Sequence, residues 1–250
     1  MTEYLGIDVG GSGIKAALVD SATGELKSDR HRIETPHPST PENMSEAIKE
    51  LVDTFDYEGP VGCCFPTIII HGVAKSASNL GEAWRHAPVD RIFSEATGLP
   101  FTVINDADAA AMAEMQMGAG AGLDGMVMTI TVGTGIGSGL FNDGVLVPNI
   151  EVGHMPGKDG HAIEKYASDR ARKRDELDWD QWGKRFNYFL GRVIRVFSPD
   201  HIILGGGVSK KLERFEHKLD VDTPIHVAKF LNNAGIVGAA MAAREAQGKR

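Results

Sequence analysis

The chain has 250 residues, of which 42% are hydrophobic and 24% are charged, and its formal net charge at pH 7 is −8. This composition is ordinary for a globular protein with a substantial core, in one large or two small domains. The acidic balance counts against general nucleic-acid binding, which needs a broad basic surface. There is no apolar run of about 18 residues that would span a membrane and no basic segment of a secretory signal, so we expect a cytoplasmic protein.

The first predicted elements are two apolar β-strands joined by a turn with three glycines among its four residues. Asp8 ends the first strand, Lys15 enters the second, and the turn is Gly10-Gly11-Ser12-Gly13. Successive backbone N–H groups in such a turn suit an anion, and Asp8 could hold Mg²⁺ through water beside phosphate oxygens. A plain hairpin with a polar tip explains the same residues, so this stretch alone leaves both interpretations open.

The pattern next predicts a short strand near residues 29–33, an amphipathic helix over residues 43–55 and a buried strand over residues 61–65. Cys63 and Cys64 are neighbours in that strand. Because neighbouring strand residues point to opposite faces, we interpret both as buried, reduced residues without a mutual disulfide. A hairpin near residues 68–76 leads to Asn79, which is either a turn former or a ligand contact.

A strand over residues 101–104 delivers Asn105 and Asp106 to the start of an alanine-rich helix over residues 107–117. Both residue types are favoured helix caps. Ligands of open α/β sheets bind at the carboxyl ends of strands. With a phosphate-binding turn elsewhere in the chain, Asp106 becomes a candidate general base for a hydroxyl nucleophile.

The second half repeats the first design. After a glycine-rich passage over residues 118–125, an apolar strand over residues 126–132 enters the turn Gly133-Thr134-Gly135 and returns. A third strand, over residues 201–204, runs into Gly205-Gly206-Gly207, and Lys210 and Lys211 follow at a predicted helix start. Two copies of one device indicate two lobes of a duplicated fold, and we expect the three glycine segments to converge on one phosphate chain.

Other polar residues of the second half have two interpretations each. Glu151 and His154 lack the second copy and unbroken helices of a di-iron site, which leaves a ligand contact or a solvated loop. The charged run over residues 169–178, with cations at 170 and 172–174, is typical of a solvated face. Residues 179–197 predict an amphipathic helix whose aromatic stripe indicates core or a dimer interface. A last helix is predicted over residues 233–244.

Five motifs in this order resemble the ROK family of sugar kinases, in the actin-like phosphotransferase superfamily. They are Asp8 to Lys15, Asn105 to Ala110, Gly133 to Gly137, Glu151 to His154 and Gly205 to Ser209. Their order and spacing cover nearly the whole chain. The resemblance implies an α/β, duplicated actin/hexokinase-like (ribonuclease H-like) fold of two lobes with a cleft between them. The small lobe would be residues 1–107 with the helix 234–250 packed back on it, and the large lobe residues 108–233.

The resemblance also implies roles for particular residues. Asp106 would take the proton from the sugar 6-hydroxyl. Sugar hydroxyls would be bound by Asn79, Asn105, Asp106, Glu151, His154 and Glu164. Phosphates would be bound by Asp8, Gly10, Gly11, Ser12, Gly13, Lys15, Gly133, Thr134, Gly135, Gly206, Gly207 and Lys210, with Mg²⁺ at Asp8, through water. The lobes would close around the sugar and exclude water, and a homodimer is the assembly usual in the family.

One stretch departs from the usual family pattern. Typical ROK kinases carry a cysteine-rich zinc motif directly after the Glu-x-Gly-His element, whereas residues 155–164 contain no cysteine. No thiolate zinc site can form there, and we expect His154 to be free of metal. The branch of the family that uses inorganic polyphosphate shows the same absence, and the segments 207–211 and 232–240 resemble that branch as well.

The donor and the sugar are therefore predicted as polyphosphate and glucose, with ATP as a possible second donor. A polyphosphate chain needs cations beyond the terminal phosphate, and Lys210, Lys211 and the cluster Arg170 to Arg174 are candidates. One alternative is a strictly ATP-dependent ROK hexokinase acting on glucose, mannose or an amino sugar. Another is a sugar-sensing regulator, which fits poorly because no helix-turn-helix segment precedes the first strand.

Overall fold

The computed structural model describes residues 2–77 and 80–248, so Asn79 lies outside the described residues. The chain divides into two compact units: unit 1 is Met1–Ala113 with Asn232–Arg250, and unit 2 is Glu114–Leu231. The lobe boundaries expected from the family resemblance, after residues 107 and 233, stay a prediction. Each unit is described by itself below.

Unit 1 is built on a five-stranded sheet with the strand order β3-β2-β1-β4-β7. Its strands are β1 (Glu3–Val9), β2 (Ile14–Asp20), β3 (His31–Ile33), β4 (Val61–Phe65) and β7 (Phe101–Asn105), with a separate small hairpin of β5 (Ile69–Ile70) and β6 (Val73–Ala74). Its helices are α1 (Pro41–Asp53), α2 (Val89–Thr97), the start of α3 (Asp106–Met117) and α7 (Ala234–Gly248).

Unit 2 repeats this plan with the strand order β10-β9-β8-β11-β12. Its strands are β8 (Met126–Val132), β9 (Ile136–Asn142), β10 (Val145–Val147), β11 (His201–Gly205) and β12 (Ile225–Val227). Its helices are α4 (Glu164–Ala167), α5 (Asp169–Arg174) and α6 (Trp179–Phe197). In both units an antiparallel hairpin is followed by two parallel strands, so the duplication that the glycine turns predicted is present in the sheets.

Close contact between α7 and the sheet of unit 1 depends on small residues. A Cβ on Gly62 of β4 would lie 1.7 Å from the Ala239 carbonyl oxygen, and one on Gly238 would lie 1.7 Å from that of Ala109. These distances leave no room for a methyl group. Glycine at position 62 therefore lets α7 lie directly on β4, and glycine at position 238 lets α7 lie directly on α3.

The core of unit 2 is formed around α6. The helix begins with a capping box in which Asp178 accepts from the Gln181 N–H and Gln181 from the Asp178 N–H. Its aromatic stripe is buried, and Trp182 stacks on Phe186 with ring centroids 4.9 Å apart. The stripe therefore packs in the core of unit 2, one of the two locations predicted for it.

The segment after β11 differs from its prediction. Ser209–Arg214 is a short 3-10 helix rather than a regular α-helix, and Lys211 leaves helical geometry at φ −125° and ψ 17°. A left-handed Gly206 with φ 78° turns the chain directly before it. The turn and the kink prevent a continuous helix, so Lys210 and Lys211 do not lie at an α-helix N-terminus.

Among the described residues, no helix is both long enough and apolar enough to cross a membrane.

Candidate active site

In unit 1, parallel pairing places the first glycine turn and Asp106 at the same end of the sheet, the one at which the parallel strands finish. β1, β4 and β7 are parallel neighbours, with Asp8 opposite Cys64 and Phe65 opposite Asn105. The carboxyl ends of these strands therefore share an edge, which is where α/β sheets bind ligands. The first glycine turn, residues 10–13, follows β1 at that edge, and Asp106 follows β7 there.

The first glycine turn is closed by its own backbone. The Gly10 N–H donates to the Gly13 carbonyl at 3.1 Å, and the Thr35 hydroxyl donates to the Gly10 carbonyl at 2.5 Å. Arg32 of β3 donates from Nη2 to the Ser12 carbonyl at 2.8 Å. The turn thus has a fixed shape and an exposed guanidinium against it.

Asp8 is held by contacts from both sides of its own strand. Lys15 Nζ lies 3.1 Å from Oδ2, and the Cys64 thiol donates to Oδ1 at 3.3 Å. Both contacts follow from the register, because Lys15 and Cys64 are the residues opposite Asp8 on β2 and β4. The Asp8 carboxylate keeps one orientation at the sheet edge.

Arg32 is a candidate phosphate-binding residue that the sequence reasoning missed. It lies directly opposite Lys15 across β2 and β3. Two like charges directly opposite each other destabilise a sheet, and here Lys15 is paired with Asp8 while Arg32 donates to the Ser12 carbonyl. A search for cations in the strand after the first hairpin could have found it, but only with the register known.

Asn105 and Asp106 begin α3 as capping residues. Asn105 is buried, its Oδ1 accepts from the Ala107 and Asp108 N–H groups at 2.8 Å and 3.2 Å, and its amide donates to the Thr67 carbonyl at 3.1 Å. Asp106 Oδ1 accepts from the Ala107 N–H at 2.9 Å. Asp106 is nevertheless exposed, whereas the Asn105 side chain is occupied with capping. Sugar binding by Asn105 stays a prediction.

The second and third glycine segments meet in unit 2. Gly133 donates its N–H to the Gly135 carbonyl at 3.0 Å, which closes the second glycine turn, residues 133–135. β8 and β11 are parallel neighbours, and a Cβ on Gly206 would lie 2.4 Å from the Val132 carbonyl oxygen. Gly206 therefore packs against Val132, the last residue of β8 before the second glycine turn.

Three predicted sugar-binding residues of unit 2 are grouped around β9. Glu164 Oε2 accepts from the Ile136 N–H at 3.0 Å, and the His154 ring lies 3.9 Å from the Glu151 carboxylate. Gly153 fits closely, because a Cβ there would be 2.2 Å from the Ile136 carbonyl. The glycine of the Glu-x-Gly-His motif thus lets its two polar neighbours lie beside Glu164.

The surroundings of Glu151 shift the pKa of its carboxyl. Burial raises the pKa of Glu151, the negative charge of Glu164 raises it further, and His154 acts in the opposite direction. The Glu151 carboxyl is therefore partly desolvated.

Both cysteines are free, fully buried thiols. Burial and the nearby Asp8 charge raise the pKa of Cys63, and the same causes raise that of Cys64. A thiol whose pKa is raised is a poor nucleophile and a poor metal ligand. The prediction that both residues are buried and reduced is confirmed.

Asp8 is the candidate residue for Mg²⁺. Within residues 2–77 and 80–248, no group of three or more His, Cys, Asp or Glu side chains could hold a metal ion. Mg²⁺ typically takes one or two carboxylates and completes its shell with water and phosphate oxygens, so a single oriented carboxylate beside a glycine turn fits it.

A model of the ROK family matches residues 4–174 of the chain. The chain belongs to the ROK family. It is 40% identical over 238 residues to the polyphosphate glucokinase of Mycobacterium tuberculosis, a match that covers 95% of this chain and 89% of that protein. The family expectation drawn from the sequence motifs is confirmed.

Solved structures of ROK proteins have the same fold. The inorganic polyphosphate/ATP-glucomannokinase from Arthrobacter sp. strain KM has a TM-score of 0.88 and 43% sequence identity, with 100% of both chains covered. The ROK hexokinase from Thermus thermophilus has a TM-score of 0.80 and 26% identity, covering 99% of this chain and 100% of that one. The predicted actin/hexokinase-like class is therefore the fold of this ROK protein.

Proposed function

We propose that this ROK protein is a kinase that transfers the terminal phosphoryl group of inorganic polyphosphate to the 6-hydroxyl of glucose. The observation that carries the proposal is the 40% identity to a polyphosphate glucokinase over nearly the full length of the chain. The glycine turns and the exposed Asp106 supply the chemical groups that this transfer needs.

The proposed chemistry begins at Asp106. Its carboxylate accepts the proton of the 6-hydroxyl while that oxygen attacks the terminal phosphorus of the donor. A new P–O bond forms to the sugar, the bond from this phosphorus to the bridging oxygen breaks, and the donor leaves one phosphate shorter. Asp106 suits this role because it is exposed at the carboxyl edge of the unit 1 sheet.

The remaining predicted residues take binding roles in this proposal. Glu151, His154 and Glu164 of unit 2, with Asn79 and Asn105 of unit 1, bind sugar hydroxyls. The first glycine turn with Lys15 and Arg32, the second glycine turn, and Gly206, Gly207 and Lys210 bind donor phosphates. Mg²⁺ at Asp8, through water, would neutralise charge on the phosphoryl oxygens. A homodimer and a cytoplasmic location remain predictions.

ATP is the second donor that we propose. The Arthrobacter protein, 43% identical, is named as a polyphosphate/ATP-glucomannokinase, which favours use of both donors and of mannose beside glucose. Formation of glucose 6-phosphate should be measured with purified long-chain polyphosphate and, separately, with ATP. Turnover with ATP but not with polyphosphate would contradict the assignment of polyphosphate as donor. No turnover with either donor would contradict the assignment of the protein as a glucose kinase.

Replacement of Asp106 tests the catalytic assignment. We expect Asp106→Asn to lower kcat by about 10²- to 10⁴-fold, the usual contribution of a general base. The amide keeps the size of the side chain but accepts no proton. Glucose affinity, measured by calorimetry, should stay within about threefold of wild type, since the hydroxyl can still be hydrogen-bonded.

Asp90→Asn is the matched control, because it makes the same replacement in the first turn of another helix of unit 1. It should leave kcat unchanged. An Asp106→Asn variant with near-normal kcat would remove Asp106 from its role.

A further inference from the structure

A cavity in unit 2 joins the second glycine turn to the charged run of the sequence. Its volume is about 420 Å³, and it is lined by Gly133, Thr134, Asp169, Arg170, Lys173 and Arg174. The Arg170 N–H donates to the Gly133 carbonyl at 3.2 Å. Helix α5 is therefore fixed against the turn, and its cations face the same space as the turn backbone.

The carboxylates of this region are each shared between two cations. Asp169 contacts Arg172 Nε at 2.8 Å and Lys173 Nζ at 2.7 Å. Burial alone would raise the pKa of Asp169, but the hydrogen bonds from Lys173 and Arg172 outweigh it, so the pKa is lowered. One negative charge thus faces two positive ones.

Asp175, the residue directly after α5, repeats this arrangement. It contacts Arg174 Nε at 2.7 Å and Arg185 Nη1 at 2.6 Å. Hydrogen bonds from Arg174 and Arg185 hold the pKa of Asp175 well below its ordinary value, so it too stays ionised. Asp169 and Asp175 thus each contact two cations, so the positive charge exceeds the negative charge at both carboxylates.

Arg170 adds a cation without a counterion. In the part of the chain that the structure describes, no carboxylate lies within 4 Å of its guanidinium, and the side chain is exposed. Glu164 lies at the same turn, but its carboxylate is bonded to the Ile136 N–H. Among the described lining residues of the cavity, three cations, Arg170, Lys173 and Arg174, face one carboxylate, Asp169, an excess that an anionic ligand can use.

If the charged run over residues 169–178 were only a solvated face, the exposure of its cations would be explained. The cavity and the hydrogen bond from Arg170 to Gly133 would not be explained. Exposed ion pairs contribute only about 0–1 kcal/mol, so phosphate oxygens can take Lys173 from Asp169 at little cost. Arginine binds phosphate through two parallel N–H donors. None of the described lining residues carries an aromatic ring or a branched aliphatic side chain that would hold a purine base.

We propose that this cavity binds internal phosphates of the polyphosphate donor, behind the phosphoryl group that is transferred. This subsite rests on the proposed function. Arg170 and Lys173 bind the chain there, and the backbone of the second glycine turn lies beside it. The subsite distinguishes a long phosphate chain from a nucleotide, which carries no further phosphates to fill it.

The test uses Arg170→Ala/Lys173→Ala in the full chain, with calorimetric titration of long-chain polyphosphate alone and kinetics with both donors. We expect Kd for polyphosphate to rise about tenfold, since two exposed charge contacts at up to about 1 kcal/mol each are lost. KM should rise more with polyphosphate than with ATP. The log–log dependence of Kd on salt should become shallower by about two, as for loss of two phosphate contacts.

Two further variants serve as controls. Arg195→Ala removes a cation that lines a different cavity of unit 2, and it should leave Kd for polyphosphate within about twofold of wild type. Arg170→Lys/Lys173→Arg keeps both charges and should restore most of the affinity. If the double alanine variant does not fold, Arg170→Ala alone applies the same test, because no ion pair is broken there.

The outcomes separate the subsite from the function. An unchanged Kd, an equal loss with both donors, or an equal effect of Arg195→Ala would overturn the subsite while wild-type turnover with polyphosphate continued. A wild-type protein that makes no glucose 6-phosphate from polyphosphate would instead overturn the function, whatever the variants bind.

Discussion

The orientation of Asp8 depends on one buried thiol. Cys64 donates to Asp8 Oδ1 from the opposite position on β4, while Cys63, equally buried, points to the other face and belongs to the main core of unit 1. A hydrogen bond to a carboxylate is worth about 1.5–3 kcal/mol. Of the two neighbours, only Cys64 acts on a proposed phosphate and Mg²⁺ residue.

Cys64→Ala should therefore lower kcat/KM for the phosphoryl donor by about threefold to tenfold and raise the Mg²⁺ concentration needed for half-maximal rate. Cys63→Ala, which removes the same atom from the same strand, should leave both quantities within about twofold. Cys64→Ser keeps a donor and should restore most of the rate. Equal losses in both alanine variants would mean that the thiol only fills space.

Glu151 couples stability to pH. Its pKa in the folded chain is raised above the ordinary 4.5, chiefly by burial, so the folded state binds the proton more tightly than the unfolded state does. The stability from this carboxyl is complete below its unfolded pKa and is lost as pH rises through the folded pKa. At neutral pH the ionised side chain destabilises the fold.

We therefore expect Glu151→Gln to raise Tm at pH 7 by up to about 3 °C, because the amide carries no charge to desolvate. The difference should shrink as pH falls below the ordinary carboxyl pKa of 4.5. Sugar affinity should fall in the same variant. Glu213→Gln, on the exposed surface of unit 2, should change neither quantity, and a lower Tm for Glu151→Gln at pH 7 would contradict the desolvation argument.

At the scale of elements, helix α7 is held on the sheet of unit 1 by residues without side chains. At Gly62 and Gly238, a methyl group would lie 1.7 Å from a carbonyl oxygen of the neighbouring element. Glycine normally destabilises a helix interior by about 0.5–1 kcal/mol relative to alanine. At Gly238 of α7, the closer approach to Ala109 of α3 outweighs that loss.

Two helix glycines should respond to alanine with opposite signs. Gly238→Ala in α7 should destabilise the chain by about 3 kcal/mol, since a backbone contact cannot move aside as a side chain can. Gly191→Ala in α6 meets nothing within 4 Å and should stabilise by about 0.5–1 kcal/mol through helix propensity. Thermal unfolding of both variants measures this, and a loss in both would show that close packing is not the reason.

At the scale of the whole molecule, the net charge is negative, but cations are grouped beside the glycine segments. The net charge of −8 disfavours a polyanionic donor in general. Among the described residues, the cations proposed to bind one lie at the glycine segments, with Lys15 and Arg32 at the first turn, Arg170 and Lys173 at the second, and Lys210 after Gly207. A polyphosphate chain must therefore bind locally, and its affinity must fall steeply with salt.

The sequence by itself determined the ROK family, the repeated strand–glycine–strand units and the amphipathic helix α6. Those features depend on residues close together in the chain, where periodicity, turn chemistry and capping act locally. It also led to Asp106, because a strand end followed by a helix start is a local pattern. At Lys210 and Lys211 a helix does begin, at Ser209, but it is a short 3-10 helix that is kinked at Lys211.

Only the tertiary structure decided which distant residues meet. Arg32 reaches the first glycine turn through strand register, Cys64 reaches Asp8 through parallel pairing, and Arg170 reaches Gly133 across more than 30 residues of chain. The first two contacts depend on how strands align, since a shift of one residue would turn each side chain to the opposite face, and the third depends on where helix α5 packs. Spacing along the chain does not specify that alignment, so the partners of each glycine turn could be read only from the folded protein.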